Sequence, residues 1–287
     1  MLTAEQIELR KTGIGSSEIA TICGENPFKS PHDVWLAKRG LVEEETDNLS
    51  ADLGHALEPF VARQYEVDSG RKVRRHQETL RLAGSEFALA TIDYETDDSE
   101  QRIVECKTVG GRVAHHWEKS DRGCPPYVQI QAQWQMGVLG RERCDVAALF
   151  LGFTDFRVYC LQFRPDVFDS LLTIGAEFWA RVQAGEPPSV DESEACRRAL
   201  LERYQWKRTE LELAPAGFDE LLVERAETKK ECDRLEKRLG LIENEIRAQI
   251  GEGAGFYSDW GRVTHKEDIN GKRSLRFYAA AARKKAA

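Results

Sequence analysis

Three things are missing from this chain: a long apolar run, paired cysteines and a surplus of positive charge. No stretch of its 287 residues approaches the roughly 20 consecutive apolar positions needed to cross a bilayer. The opening MLTAEQIELRKTG has no basic segment followed by an apolar one, so no secretory signal is read and an intracellular protein without a membrane partner is expected. Cys23, Cys106, Cys124, Cys144, Cys160, Cys196 and Cys232 are scattered, odd in number and never spaced C-x-x-C. That spacing argues against a zinc ribbon, a redox motif, a disulfide framework or an iron–sulfur cluster, and leaves reduced, mostly buried thiols. Internal repeats and long low-complexity tracts are absent as well.

What is present suits a soluble globular protein with a large core: 41% hydrophobic and 31% charged residues. The net charge of −8 is unevenly spread. From Gly261 onward eight Lys/Arg face only Glu267 and Asp268, a balance of +6 that leaves −14 for the first 260 residues. A uniformly basic nucleic-acid binder is thereby excluded, whereas a locally lined groove is not.

Chemistry concentrates in ALATIDYETDDSEQRIVECKT, which reads as two strands joined by a polar turn and sets Asp93, Glu105 and Lys107 in a D-x11-E-x-K order. Side chains alternate along a strand, so Glu105 and Lys107 share one face and Cys106 points into the opposite layer. With Asp93 at the end of the neighbouring strand, two carboxylates converge on one hard divalent cation, and Lys107 polarises a water or balances charge. By itself the pair Glu105–Lys107 reads first as an exposed strand ion pair, and the flanking motifs turn it toward catalysis.

Around this centre, Thr3–Arg10 is a short amphipathic helix candidate. Gly13 and Gly15 mark a turn, and Ser16 or Ser17 caps a helix to about Cys23. Ser30 and Pro31 start a further helix through Lys38, which stops at Gly40. Helix starts of this kind are either simple caps or anion sites. After an acidic loop, Glu43 to Asp47, LSADLGHALEPFVARQYEVDSG has helical periodicity, with Glu58 beside its apolar stripe as a rim residue or a site residue. Arg71 to Leu82 reads as an alternating basic strand. Val109 to Gly123 is loop and short helix, where Arg112, His115, His116, Lys119 and Arg122 are solvated or phosphate-facing. Pro125 and Pro126 introduce a helix to Gly140 that carries Gln129, Gln131, Gln133 and Gln135, split between its faces. Strands follow at Cys144–Gly152 and Phe156–Phe163 around the turn Phe153–Asp155, and a helix runs from Pro165 to Ala184. Beyond about residue 190 the character changes. Cys232, Leu235, Leu239, Ile242 and Ile246 form a heptad seam, so a helical hairpin or coiled-coil arm is expected, followed by a β-hairpin around Asn270-Gly271 and a basic end.

Taken in order, GIGSSEIATICGENPFKSPHDVW, GHALEPFVARQYE, ATID, VECK and QAQWQMGVLG resemble the YqaJ-like phage recombinase nucleases, relatives of the lambda exonuclease in the PD-(D/E)xK superfamily. The resemblance covers roughly residues 10 to 185. It implies an α/β fold with a restriction-endonuclease-like core, a central mixed sheet flanked by helices, over residues 1–190. Residues 191–287 form the helical arm and basic hairpin. Asp93, Glu105 and Glu58 are then the metal carboxylates, with the Cys106 carbonyl as a further ligand, Lys107 catalytic and Gln131 the helix glutamine of the site. Arg10 and Ser17 match residues that hold a terminal 5′-phosphate in the lambda enzyme, and Thr91 stands where that enzyme has another phosphate-binding serine. Two further positions depart from the family: Tyr94 replaces the glycine usual after the first aspartate, and Tyr127 falls one place off a tyrosine that precedes the glutamine helix.

The activity implied is a Mg²⁺-dependent 5′→3′ exonuclease, with Mn²⁺ able to substitute. It would resect double-stranded DNA ends for single-strand-annealing recombination in the cytoplasm of a bacterium or phage-infected host. A trimer and an annealing-protein partner belong to the same expectation. The competing readings are a structure- or site-specific endonuclease on this core and a non-catalytic DNA-binding scaffold. The C-terminal part either contacts a partner, DNA or another subunit, or is a stabilising appendage.

Overall fold

The structure is a computed structural model that describes residues 4–42, 49–76, 78–117, 123–152, 155–204, 211–267 and 271–279. The acidic loop, Lys119 and Arg122, part of the Phe153–Asp155 turn, Asn270 and the basic end lie outside the described residues. Contacts divide the chain into two units, residues 1–207 and 208–287. The boundary expected at 190 therefore falls later, because α7 (Glu194–Arg203) buries Ala195, Cys196 and Ala199 against the first unit, packing on α3 (Pro31–Lys38). Three small residues make too faint a stripe to be seen in sequence.

The first unit is built on a five-stranded sheet, β1 (Val73–Arg75), β4 (Tyr94–Thr96), β5 (Ile103–Val109), β6 (Arg143–Phe150) and β7 (Asp155–Gln162), in that spatial order. Only β5 and β6 run parallel, which makes the sheet mixed and requires a crossover between them. That crossover contains α5 (Pro126–Leu139), a helix bounded by the expected prolines and by Gly140 in the left-handed conformation. On one face Val128, Ala132 and Met136 of α5 meet Ile103, Val146 and Ala148. On the other, Val61, Ala62 and Tyr65 of α4 (Leu49–Ser69) meet Tyr94, Val104 and Ala147. A third cluster joins α5 through Trp134 to Ile19 of α2 (Ser16–Ile22) and Phe168 of α6 (Pro165–Ala184).

Two expected strands are broken. The segment read as one strand over Arg71–Leu82 forms β1 and β2 (Thr79–Arg81), and its partner is split into β3 (Leu89–Thr91) and β4. β2 and β3 make a separate two-stranded sheet, while β1 and β4 join the main one. The ladder changes sheets at Ile92–Asp93, where alternation alone gives no signal of an interruption.

In the second unit α8 (Phe218–Ile250) is one continuous helix of 33 residues and not a helical hairpin. Its heptad seam is open, with Leu235 and Leu239 more than half exposed. The expected hairpin is a three-stranded sheet, β8 (Gly255–Ser258), β9 (Gly261–Glu267) and β10 (Arg273–Ala279). The four-residue β8 is too short to stand out in sequence.

Gly137 leaves room on α5 for the Phe168 ring of α6: a Cβ there would lie 2.3 Å from that ring. Overpacking of this kind destabilises by about 1–3 kcal/mol. Gly137→Ala is therefore expected to lower the urea unfolding midpoint of the full chain, and an unchanged midpoint would show that the helices can separate freely.

Candidate active site

The break at Asp93 creates the site. β4 pairs with β5 at Tyr94↔Val104 and Glu95↔Ile103 and goes no further, so the amide of Cys106 has no strand partner on that side. The Asp93 carboxylate takes that place: its Oδ2 accepts from the Cys106 amide at 2.9 Å. The same bond turns the side chain toward Glu105. Tyr94 packs with the α4 cluster. Gln101 is the only described non-glycine residue with positive φ, so tyrosine after Asp93 needs no unusual backbone.

Glu105 is buried and fully engaged. Its Oε1 accepts from Gln131 Nε2 at 2.6 Å and from Lys107 Nζ at 2.7 Å, and its Oε2 accepts from Gln135 Nε2 at 2.7 Å. The Gln131 amide is oriented by charge, since its Oε1 accepts from Lys107 Nζ at 3.1 Å. Gln135 also donates to the Thr91 carbonyl at 3.1 Å, which ties α5 to the end of β3. Sequence reading missed Gln135. The glutamines are split between faces as expected, but both faces are covered: Gln131 and Gln135 point at Glu105, whereas Gln133, on the other side of the helix, is also buried and donates to the Gln162 carbonyl at 2.7 Å.

Glu58 reaches the same cleft from α4, with His55 Nδ1 and an Arg75 amine each 3.7 Å from its oxygens. Burial and the Glu105 carboxylate hold Asp93 well above the ordinary carboxylate range; Glu58 adds to this, while Lys107 and the Cys106 amide pull the other way. Burial opposes the charge of Lys107, but Glu105 and Asp93 outweigh it and hold its pKa above the usual lysine value. Burial pushes the Cys106 thiol up, so it stays protonated and only its backbone is available as a ligand.

The opposite wall is the turn before α2. Gly13 is required there, since a Cβ would lie 2.3 Å from the Phe87 carbonyl. The residue that caps α2 is Gly15 and not Ser16 or Ser17. Its amide donates to Glu18 Oε2 at 2.6 Å, while Lys38 Nζ lies 2.8 Å from Glu18 Oε1 and donates to the Arg10 carbonyl at 2.5 Å. Arg10 approaches the same carboxylate only to 3.7 Å. Glu18 is thus neutralised by Lys38, and Arg10 keeps its charge for the cleft. Arg10 Nε and Ser16 Oγ are buried without a partner among the described residues, the condition of groups awaiting an acceptor. By contrast, α3 is closed by its own capping box, Ser30 with Asp33, and offers no anion site.

All nine residues singled out in sequence, Arg10, Ser17, Glu58, Thr91, Asp93, Glu105, Cys106, Lys107 and Gln131, line one cleft of about 390 Å³. Thr91 shares a hydrogen bond of 2.7 Å with Thr79. Tyr127 is not in the lining and packs edge-on to Phe28. His115 and His116 are exposed on a short 3-10 turn. A larger hollow of about 640 Å³, lined by Lys11, Arg39 and Trp179, contains no group of carboxylates.

Among the described residues no three histidine, cysteine or carboxylate side chains already form a metal shell. The charge and donor chemistry nevertheless suit a hard cation. Asp93, Glu105 and Glu58 supply oxygens only, and their mutual repulsion is answered within the cluster chiefly by Lys107.

A mixed sheet with an acidic pair and lysine where its β4–β5 ladder breaks off, covered by helices on both faces, is the PD-(D/E)xK fold. Comparison with known proteins agrees. Residues 6–142 match the YqaJ-like viral recombinase domain. The chain is 31% identical over 258 residues to the uncharacterized protein YqaJ of Bacillus subtilis (strain 168), covering 88% of this chain and 79% of that one. The chain belongs to the YqaJ family. In fold it resembles the alkaline exonuclease LHK-Exo of Laribacter hongkongensis (TM-score 0.53, 18% identity, 64% of this chain and 94% of that one) and the LHK-Exo complex with dAMP (TM-score 0.53, 20% identity, the same shares).

Two predictions concern the walls. Breaking a buried ion pair on one side costs about 3–5 kcal/mol, and the Lys38 side chain is only 2% exposed. Lys38→Met should therefore destabilise by about that much, and Glu18→Gln added to it should recover most of the loss; a double variant no better than the single refutes the pairing. Asp93 binds its proton more tightly folded than unfolded. Its ionisation therefore lowers stability as pH rises from the ordinary carboxylate value, about 4, through the raised one. In chelator at neutral pH, Asp93→Asn is expected to melt at a higher temperature than the unsubstituted protein, with the gap closing toward pH ~4. An equal or lower melting temperature at neutral pH contradicts this.

Proposed function

We propose that this protein is a Mg²⁺-dependent exonuclease that digests linear double-stranded DNA from 5′ ends and leaves single strands for annealing-type recombination, with Mn²⁺ able to replace Mg²⁺. The observation that carries this reading is a single cleft in which a carboxylate cluster with one lysine faces an arginine–serine corner with unpartnered donors. The fold relative LHK-Exo is an alkaline exonuclease, and it has been captured with dAMP, a nucleoside monophosphate.

Hydrolysis of a phosphodiester requires that the anionic phosphate be neutralised, a water be placed in line and the leaving oxygen be stabilised. Asp93, Glu105 and Glu58, with the Cys106 carbonyl, would hold a divalent cation, which would supply Lewis-acid charge and an activated water. Gln131 and Gln135 fix both oxygens of Glu105, so that carboxylate needs little reorganisation when the substrate arrives. Lys107 stays cationic and serves as a donor to the attacking water or the phosphate, not as a base. Arg10, Ser17 and the Thr91 hydroxyl receive the terminal 5′-phosphate, which sets the scissile bond relative to the carboxylates. Digestion of this kind, in the cytoplasm and in a homo-oligomer that is a trimer by family resemblance, would hand its product to a single-strand annealing partner.

The test is a time course on end-labelled linear and closed circular duplex with and without Mg²⁺. Linear DNA alone should be degraded, and only with the metal. Asp93→Ala and Lys107→Ala should each slow digestion by at least about 100-fold. A 5′-phosphorylated end should be digested faster than a 5′-hydroxyl end, and Arg10→Ala should erase the difference. Undiminished digestion by both variants, or cleavage of the circle, sinks the proposal.

A further inference from the structure

The second unit carries a surface that plays no part in the cleft chemistry. Paired residues on neighbouring antiparallel strands share a face, as do positions two apart along one strand. The register of β8, β9 and β10 therefore sorts their side chains into two sets. Phe256, Val263 and Phe277 stand abreast on one face, with His265 and Leu275 beside them. Val263, His265 and Leu275 are half-buried. On the same face Arg273 donates to the carbonyls of Gly251 and Gly253 at 3.1 and 2.8 Å, which fixes this side of the sheet to the chain leaving α8.

The other face is of a different kind. Tyr257, Arg262 and Tyr278 stand abreast across the three strands, with Arg276 and Lys266 further along and the hydroxyls of Thr264 and Ser274 between. Tyr257 is 84% and Tyr278 40% exposed. The Arg262 guanidinium lies 4.2 Å from the centre of the Tyr278 ring. No Asp or Glu belongs to this set, because Glu267 pairs with Arg273 on the opposite face. Arg262, Lys266 and Arg276 form no ion pair among the described residues. The face therefore combines three unneutralised cations with aromatic rings in a protein whose net charge is −8.

We propose that this sheet face binds a single strand of DNA. Its phosphates would track Arg262, Lys266 and Arg276, and its unstacked bases would lie on Tyr257 and on the layered Arg262–Tyr278 platform. Cations alone attract any polyanion; tyrosines set among them add a term that only exposed base faces can use. A duplex keeps its bases stacked internally and presents no such faces to a flat sheet. The strands offer length for about four nucleotides, the small end of the range for such platforms. The inference goes beyond the nuclease reading and does not depend on it.

The experiment uses the full chain in chelator, with a fluorescent oligothymidylate lacking a 5′-phosphate, its binding followed by anisotropy over a salt series. Replacing Arg262, Lys266 and Arg276 by Ser together should flatten the plot of log Kd against log salt by about 2. Tyr257→Ala with Tyr278→Ala should weaken binding roughly tenfold without changing that slope. Tyr257→Phe with Tyr278→Phe should bind like the unsubstituted protein, which separates stacking from folding. Unchanged affinity in the alanine pair overturns the proposal. So does a duplex that competes as well as the single strand, or an acidic peptide that binds this face while oligothymidylate affinity ignores all three sets of substitutions. Because no divalent cation is present, failure of the nuclease reading leaves the measurement intact.

Discussion

The interruption of the β4–β5 ladder at Asp93 is the constraint on which the cleft depends. Had the ladder continued, the amide of Cys106 would have been spent on a neighbouring strand and the aspartate would have followed ordinary alternation. The ladder stops instead, a carboxylate completes it, and that hydrogen bond places Asp93 against Glu105. Two buried like charges then face each other beside a third on α4. The repulsion is relieved partly by Lys107 and partly by keeping Asp93 readily protonated. The oxygen donors and the repulsion between them suit such a site to a hard cation.

Neutral amides do the positioning. Gln131 and Gln135, one helical turn apart on α5, donate to different oxygens of Glu105 and so prevent its rotation without cancelling its charge. An arginine in either place would have neutralised the carboxylate. The opposite wall follows the same economy. Lys38 occupies Glu18, so that Arg10, which approaches that carboxylate only to 3.7 Å, remains a net positive group over the cleft. Each wall thus contains a buried carboxylate whose partners decide what charge is left for a ligand.

The second unit differs in how it meets solvent. Within α8 only Ile250 is buried, and the short sheet that follows fastens one face to the helix end through backbone carbonyls. Its other face stays open and basic. Small sheets without a deep core need such ties, since three short strands alone bury little surface.

Much of this was legible in the sequence. Strand alternation put Glu105 and Lys107 on one face and Cys106 on the other, the proline and glycine punctuation bounded α5, and motif order pointed to the family, because these signals are local and periodic. Alternation placed Glu105 and Lys107, whereas Gln131, Arg10 and Ser17 were singled out only through the family resemblance; all of them line the one cleft. Gln135 was passed over because its partners, Glu105 and the Thr91 carbonyl, lie 30 and 44 residues away. Nothing in the sequence marks Glu18 and Lys38 as a pair, which follows only from side chains 9% and 2% exposed and 2.8 Å apart. The strand break at Ile92–Asp93, the true cap at Gly15 and the attachment of α7 to the first unit likewise depend on contacts between distant segments. Local chemistry and period determined which residues could build the cleft. Only tertiary packing decided which backbone amides went unpaired and which charges were already taken, and those two facts are what make it a site.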